Sequence, residues 1–275
     1  MLRVRKDAVG EAPGLEHDEI EQHPSGAGEV TLTCVDYCPG EASFRAIDNL
    51  DEFLQMHRPD WAAVRWINVC GLSDMRVIHA LATKYNLHPL AVEDVLHLNQ
   101  RPKVESYGGE DSDQQARLFL VTQAFSVGQK RLNGIQIALF LGHKTVLTFM
   151  EAPSDVWEPI LTRVRSRSSR LRSSDASFLM YSLLDAVIDR YFPILEYYGD
   201  RAEELDTLLL EHSQRSAIND IHQLKRDLLQ LHRVIWPMRE VVMTLQRESH
   251  ETVSEMTRVY LRDLYDHVIQ IIDII

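Results

Sequence analysis

The stretch SEMTRVYLRDLYDHVIQIIDII, residues 254–275, reads as an amphipathic helix that breaks off in mid-pattern. Val259, Leu264, Val268, Ile271, Ile272 and Ile275 recur at helical spacing, with Asp263, Asp266 and His267 among them. A helix that ends inside a globular domain usually carries a Gly or Asn cap and a basic last turn, and neither stands here. The expectation is the soluble part of something longer, whose last helix continues.

Working back from that helix, the pattern stays helical as far as Ser174. Ile218 to Glu248 carries a stripe of Ile221, Leu224, Leu228, Leu231, Ile235, Met238 and Val242, with Pro237 as an expected kink. Asp175 to about His212 carries Phe178, Leu179, Leu183, Val187, Ile188, Leu195 and Leu205, and Pro193 predicts a second kink. Ser213 begins the short connection between them. Helices this long with short connections pack antiparallel or extend as a stalk.

Before residue 172 strands and helices alternate. Strand-like runs lie at Glu29 to Asp36, Ala63 to Val69, Arg117 to Val127, Gly134 to Leu141 and Lys144 to Met150. Gly142-His143 separates the last two as a hairpin. Helical patterns fall at Asn49 to His57, Ser73 to Tyr85 and Pro89 to His97, with Ser73 or Asp74 as an N-cap and Pro89 as a first helical residue. Strands interspersed with helices give an α/β or α+β layer domain.

At 275 residues, 45% hydrophobic and 25% charged, the chain can bury one large core or two smaller ones. It holds no apolar run of about eighteen residues, the length that would span a bilayer. The first thirty residues have no apolar segment and so do not read as a signal peptide. Three cysteines (Cys34, Cys38, Cys70) make no disulfide framework, which suits a reducing compartment. A net charge of −12 argues against a nucleic-acid or anionic-lipid surface and suits a cationic partner. The basic run Arg163, Arg165, Arg167, Arg170, Arg172 has no interleaved aromatics and reads as a solvated helix end or loop.

Enzyme signals are poor: there is no Gly-rich phosphate loop, no Gly-x-Ser-x-Gly elbow and no zinc-protease helix. Cys34 and Cys38 resemble half a zinc site without its second pair. Carboxylates inside apolar stretches say more. Glu93 and Asp94 interrupt an apolar helix, Asp185 and Asp189 share a helix face at i, i+4, and Asp263 and His267 repeat that spacing. Like charges at 4 Å repel by about 4 kcal/mol at an effective dielectric near 20. A site that collects several needs a cation or a raised pKa, and oxygen ligands favour Mg²⁺ over Zn²⁺ or Cu²⁺. The alternative is that each pair is an exposed helix face.

Five segments in order resemble the CorA family of magnesium channels. They are HPLAVEDVL (88–96) followed by NQRPKVE (99–105), YSLLDA (181–186), HQLKR (222–226), IWPMRE (235–240) and RDLYDHVIQ (262–270). The resemblance runs from about residue 30 to Ile275. It implies a homopentameric divalent-cation channel in the inner membrane, carrying Mg²⁺ with Co²⁺ as a second candidate ion, and with this chain as its cytoplasmic funnel. The fold implied is α+β. A mobile leader (1–28) precedes an α/β/α domain (29–172), a long helical hairpin (173–250) and the start of a stalk helix (251–275). Two membrane helices and a Gly-Met-Asn filter are implied beyond Ile275. Val268, Ile271, Ile272 and Ile275 would then line or flank a bundle around a five-fold axis. Residues 108–115, GGEDSDQQ, read as an acidic surface insertion.

The resemblance also implies regulatory Mg²⁺ between neighbouring subunits. Asp94 would face Asp263 of the next subunit, Glu93 and Asp185 would contribute to a second site, and His267 would share the face of Asp263. Two alternatives stay open. A ZntB-type zinc transporter shares the fold but would want His or Cys as ligands, and a helical scaffold or metal-dependent hydrolase would need no pore.

Overall fold

The computed structural model describes residues 30–109, 116–128, 131–210 and 214–275. The leader, most of the acidic insertion and the connection at Ser213 lie outside the described residues.

Seven strands form one sheet: β1 (Thr31–Tyr37), β2 (Ala42–Ala46), β3 (Val64–Cys70), β4 (Lys103–Tyr107), β5 (Arg117–Gly128), β6 (Arg131–Leu141) and β7 (Thr145–Met150). Their spatial order is β2-β1-β3-β7-β6-β5-β4, antiparallel except for the parallel pair β3–β7. Leu141 pairs with Val146 across the turn at Gly142-His143, so the expected hairpin forms. Helices α1 (Leu50–Gln55), α2 (Met75–Tyr85) and α3 (Pro89–Leu96) cover one face. The other face carries α4 (Glu158–Arg165) and a 3₁₀ turn at Arg170–Ser173. The long helices α5 (Ala176–Asp189), α6 (Tyr191–Leu210), α7 (Gln214–Arg247) and α8 (Glu255–Ile274) complete it. The class is α+β.

Burial on both faces explains why the central strands are nearly continuous apolar runs. In β5 and β6, Leu118, Leu120, Ile137, Leu139 and Leu141 enter the core under the long helices. Their alternates Phe119, Val121, Ala138 and Phe140 enter the core under α1–α3. The sequence reading missed β2 and β4. Both are five-residue edge strands that are at most half-buried, so neither shows the apolar alternation that marks a strand.

Asp74 caps α2, Asp175 caps α5 and Ser254 caps α8, each through its side-chain oxygen. The single helix expected over 175–212 is two. Pro193 has no amide to bond the carbonyl of Asp189, and α5 ends there, before α6 begins at Tyr191. Pro237 does not end α7, which continues to Arg247. α6 and α7 run antiparallel, since Tyr198 hydrogen-bonds Asp227 at 2.9 Å and Arg201 reaches Asp220 at 2.8 Å.

Three expectations are corrected. Val268 and Ile271 are fully buried within their own chain, in the core shared by the sheet and the long helices, so they do not face an axis between copies. Val259 is 58% exposed; Leu261, one turn away from Leu264, holds the buried place. Arg172 is not solvated either. It is 2% exposed, and its guanidinium donates to the carbonyls of Cys38, Val164 and Pro39, tying the 3₁₀ turn to the end of β1.

Candidate metal centre

α5 and α8 run side by side in the same direction, and hydroxyls set their register. Ser177 Oγ lies 2.7 Å from Thr257 Oγ1 and 2.6 Å from Asp175 Oδ1, and it accepts from the Ser254 amide at 3.2 Å. About three turns further on, that register brings the acidic face of α5 against His267 of α8. One ligand atom from each of Asp185, Asp189 and His267 lies within 4.8 Å of the others. His267 Nδ1 is 3.7 Å from Asp189 Oδ1, and Nε2 is 4.0 Å from Asp263 Oδ2. Both distances exceed a hydrogen bond, and Nδ1 is buried with no hydrogen-bond partner. Two carboxylates beside an unsatisfied imidazole nitrogen fit a divalent cation that accepts oxygen and nitrogen.

Electrostatics describe the same pressure. Burial, then the neighbouring Asp189, pushes the Asp185 carboxyl up to about 6, while His267 and Arg163 pull the other way. Burial raises Asp189 as well, against His267 and Arg163. The Tyr181 hydroxyl is pushed up by burial and then by Asp185 and Asp263. Because the folded pKa of Asp185 lies above its unfolded value, ionisation costs stability. That cost is absent below about pH 4, grows as pH rises to about 6 and is full above it. In chelator-treated buffer, Asp185→Asn should therefore stabilise the chain by about 1–2 kcal/mol at pH 7.5 and by nearly nothing at pH 4. This is less than the full conversion of the shift, because the site is partly open to solvent. Urea unfolding at the two pH values measures it; equal effects at both would remove the repulsion account.

The second acidic pair sits elsewhere. α3 packs on the opposite face of the sheet, through Ala91, Val92 and Val95. His88 caps its start, accepting from the Leu90 amide at 3.3 Å, and Gln136 of β6 holds its end. The Gln136 Nε2 amide faces the carbonyls of Asp94 and His97, each at 3.1 Å. Asp94 accepts from Lys103 Nζ at 2.6 Å, and Glu93 lies 3.6 Å from His97. Within one chain the sheet separates Glu93 and Asp94 from Asp185, Asp263 and His267.

Sequence reasoning had paired Asp189 with Asp185 but had not carried Asp189 into the site, although the i, i+4 spacing signalled it. Gln136 and Lys103 gave no local signal of a link to α3. The three cysteines are free. Among the described residues no helix is long and apolar enough to cross a membrane.

Comparisons with known proteins agree with this architecture. The family model described as CorA-like Mg²⁺ transporter protein matches residues 61–275. The cobalt/magnesium transport protein CorA of Thermotoga maritima is 36% identical over 216 residues, 78% of this chain and 60% of that protein. The chain thus spans about three fifths of that relative's length. The complete CorA magnesium transporter of Methanocaldococcus jannaschii superposes with a TM-score of 0.71 at 19% identity, over 90% of this chain and 72% of that one. The cytoplasmic domain of ZntB from Vibrio parahaemolyticus gives 0.63 at 12% identity, over 90% and 94%. At those identities the two structures speak for the fold alone. The family model, which matches more than half of the chain, carries the assignment: this chain belongs to the CorA-like Mg²⁺ transporter family.

Proposed function

We propose that this chain is the Mg²⁺-sensing regulatory part of a CorA-like transport channel, a layered body (29–172) joined to long helices (173–275) on the cytoplasmic side of the inner membrane. The observation that carries the reading is the placement of the acids. Glu93 and Asp94 lie on one face of the sheet, and Asp185, Asp189, Asp263 and His267 on the other. The first group of one copy can add carboxylate oxygens to the second group of a neighbour, so that one hydrated ion is shared between two subunits. Asp94 then faces the neighbour's Asp263 and Glu93 its Asp185. A homopentameric ring closes that relation without leaving a set unpaired.

Mg²⁺ keeps several waters, so one or two direct carboxylates per site suffice. When Mg²⁺ is abundant the bridging ion offsets carboxylate repulsion and holds the ring closed. When it falls, the acids repel and the subunits separate. This is feedback through the differential affinity of two states for one ligand. The imidazole of His267 beside two carboxylates also suits Co²⁺, the second metal in the Thermotoga relative's name.

The assembled protein should be stabilised by Mg²⁺. At ten times its Kd, an ion that binds only the folded state contributes about 1.4 kcal/mol, a rise in melting midpoint of about 3–5 °C. Thermal denaturation with Mg²⁺, with Co²⁺ and with chelator checks this. A midpoint unmoved by Mg²⁺, in the assembled channel as well as in the chain alone, would end the sensor reading. A response to Zn²⁺ alone would favour the zinc-transporter reading.

A further inference from the structure

Lys103, Glu105 and Tyr107 alternate along β4, the edge strand, and so project to the same face of the sheet as α3. Lys103 Nζ donates to Asp94 at 2.6 Å and to Glu105 at 2.9 Å, and it stands 5.9 Å from the centre of the Phe119 ring. Glu105 is fixed in turn. Its second oxygen accepts from the Tyr107 hydroxyl at 2.6 Å, and Tyr107 stacks on His88 at 4.3 Å with planes 13° apart. The ammonium thus occupies a position on Asp94 that an external cation would take.

Taking Asp94 as a cation ligand, as proposed above, we infer that Lys103 is a tethered counter-ion that competes with the divalent cation for Asp94 and so sets the concentration at which the site fills. An ammonium at 2.6 Å and a divalent ion cannot share one carboxylate at full strength, because the two cations repel. Filling the site requires Lys103 to swing away from Asp94. Glu105 makes that exchange possible: it keeps the displaced ammonium, which is one-third exposed, paired when the metal enters. The carboxylate's availability is the fraction of time it is free of the lysine, and apparent affinity falls by that fraction. Such a device lifts the threshold of the sensor into the range where the free ion is abundant, without altering any ligand.

The test is a calorimetric titration of the full chain with MgCl₂, after thermal unfolding in chelator has shown that each variant folds. The Asp94-dependent part of the isotherm is the part lost in Asp94→Asn. Lys103→Met should shift that part to roughly tenfold lower Mg²⁺, because a competing charge has gone, whereas Lys103→Arg should stay within about twofold of wild type. Damage to structure would weaken binding, so a tightening is a result that a merely structural lysine cannot produce. If Asp94→Asn is weakened but Lys103→Met is unchanged or weaker, Lys103 is only a tie and this inference falls while the Asp94 reading stands. If Asp94→Asn titrates like wild type, Asp94 is no ligand and both fall.

Discussion

Asp36→Ala should lower the unfolding free energy by about 3–5 kcal/mol. Asp36 is fully buried on β1 and accepts from Arg65 of β3 through both oxygens, at 2.7 and 2.9 Å. Arg65 is itself 1% exposed, and it also donates to the carbonyl of His57 at 3.0 Å. Removing the carboxylate leaves a guanidinium in the core without its counter-charge, and the cost is that of the stranded ion rather than of the lost pair. Arg45 also reaches Asp36, at 2.8 Å, but its side chain is one-third exposed. Arg45→Ala should therefore cost about 1 kcal/mol or less. Urea unfolding of the two variants separates the cases. If Asp36→Ala proved no worse than Arg45→Ala, the charge network would not be what pins β1 to β3.

The second large effect is on regulation. In a channel containing this chain, Asp263→Ala or Asp94→Asn should raise the internal Mg²⁺ needed to halve ion flux by about tenfold or more, with ion selectivity unchanged. A charge-assisted ligand removed from each site costs about 1.5–3 kcal/mol, which is about one to two decades in affinity. Asp94 lies on a helix that packs on the sheet and Asp263 on one that packs against the other long helices, so replacing them alters the sensor and leaves any filter as it was. Flux at low and high internal Mg²⁺ checks this. Equal inhibition of mutant and wild type would take these two residues out of the mechanism, and altered selectivity would place them nearer the conduction path.

Much of the fold was legible locally. Ser73 or Asp74 marked the start of α2, and Asp74 caps it, because a cap depends on residues within one turn of each other; α8 was legible from helical spacing after Ser254. The hairpin between β6 and β7 was legible for the same reason; Pro193 signalled a kink, and the structure has a break between two helices there. The strands that were missed, β2 and β4, are polar edge strands whose identity comes from the neighbour they pair with.

The candidate site divides in the same way. The sequence by itself determined that acids stand in pairs within apolar helices, that Asp185 and Asp189 share a face, and that resemblance points to Asp94 and Asp263. Only the tertiary structure decided which of them meet. Asp189 reaches His267 because Ser177, Ser254 and Thr257 fix the register of two parallel helices about eighty residues apart in the chain. Asp94 meets Lys103 because β4 is an edge strand running beside α3, and the end of α3 is held by Gln136 from a third element. Val268 and Ile271 turn inward because α7 and α5 offer them a core within their own chain. Caps, turns and periodicity follow from neighbours a few residues away, so they can be read along the chain. Register and burial depend on surfaces that exist only after the chain has packed, and they set the distances on which a cation site depends.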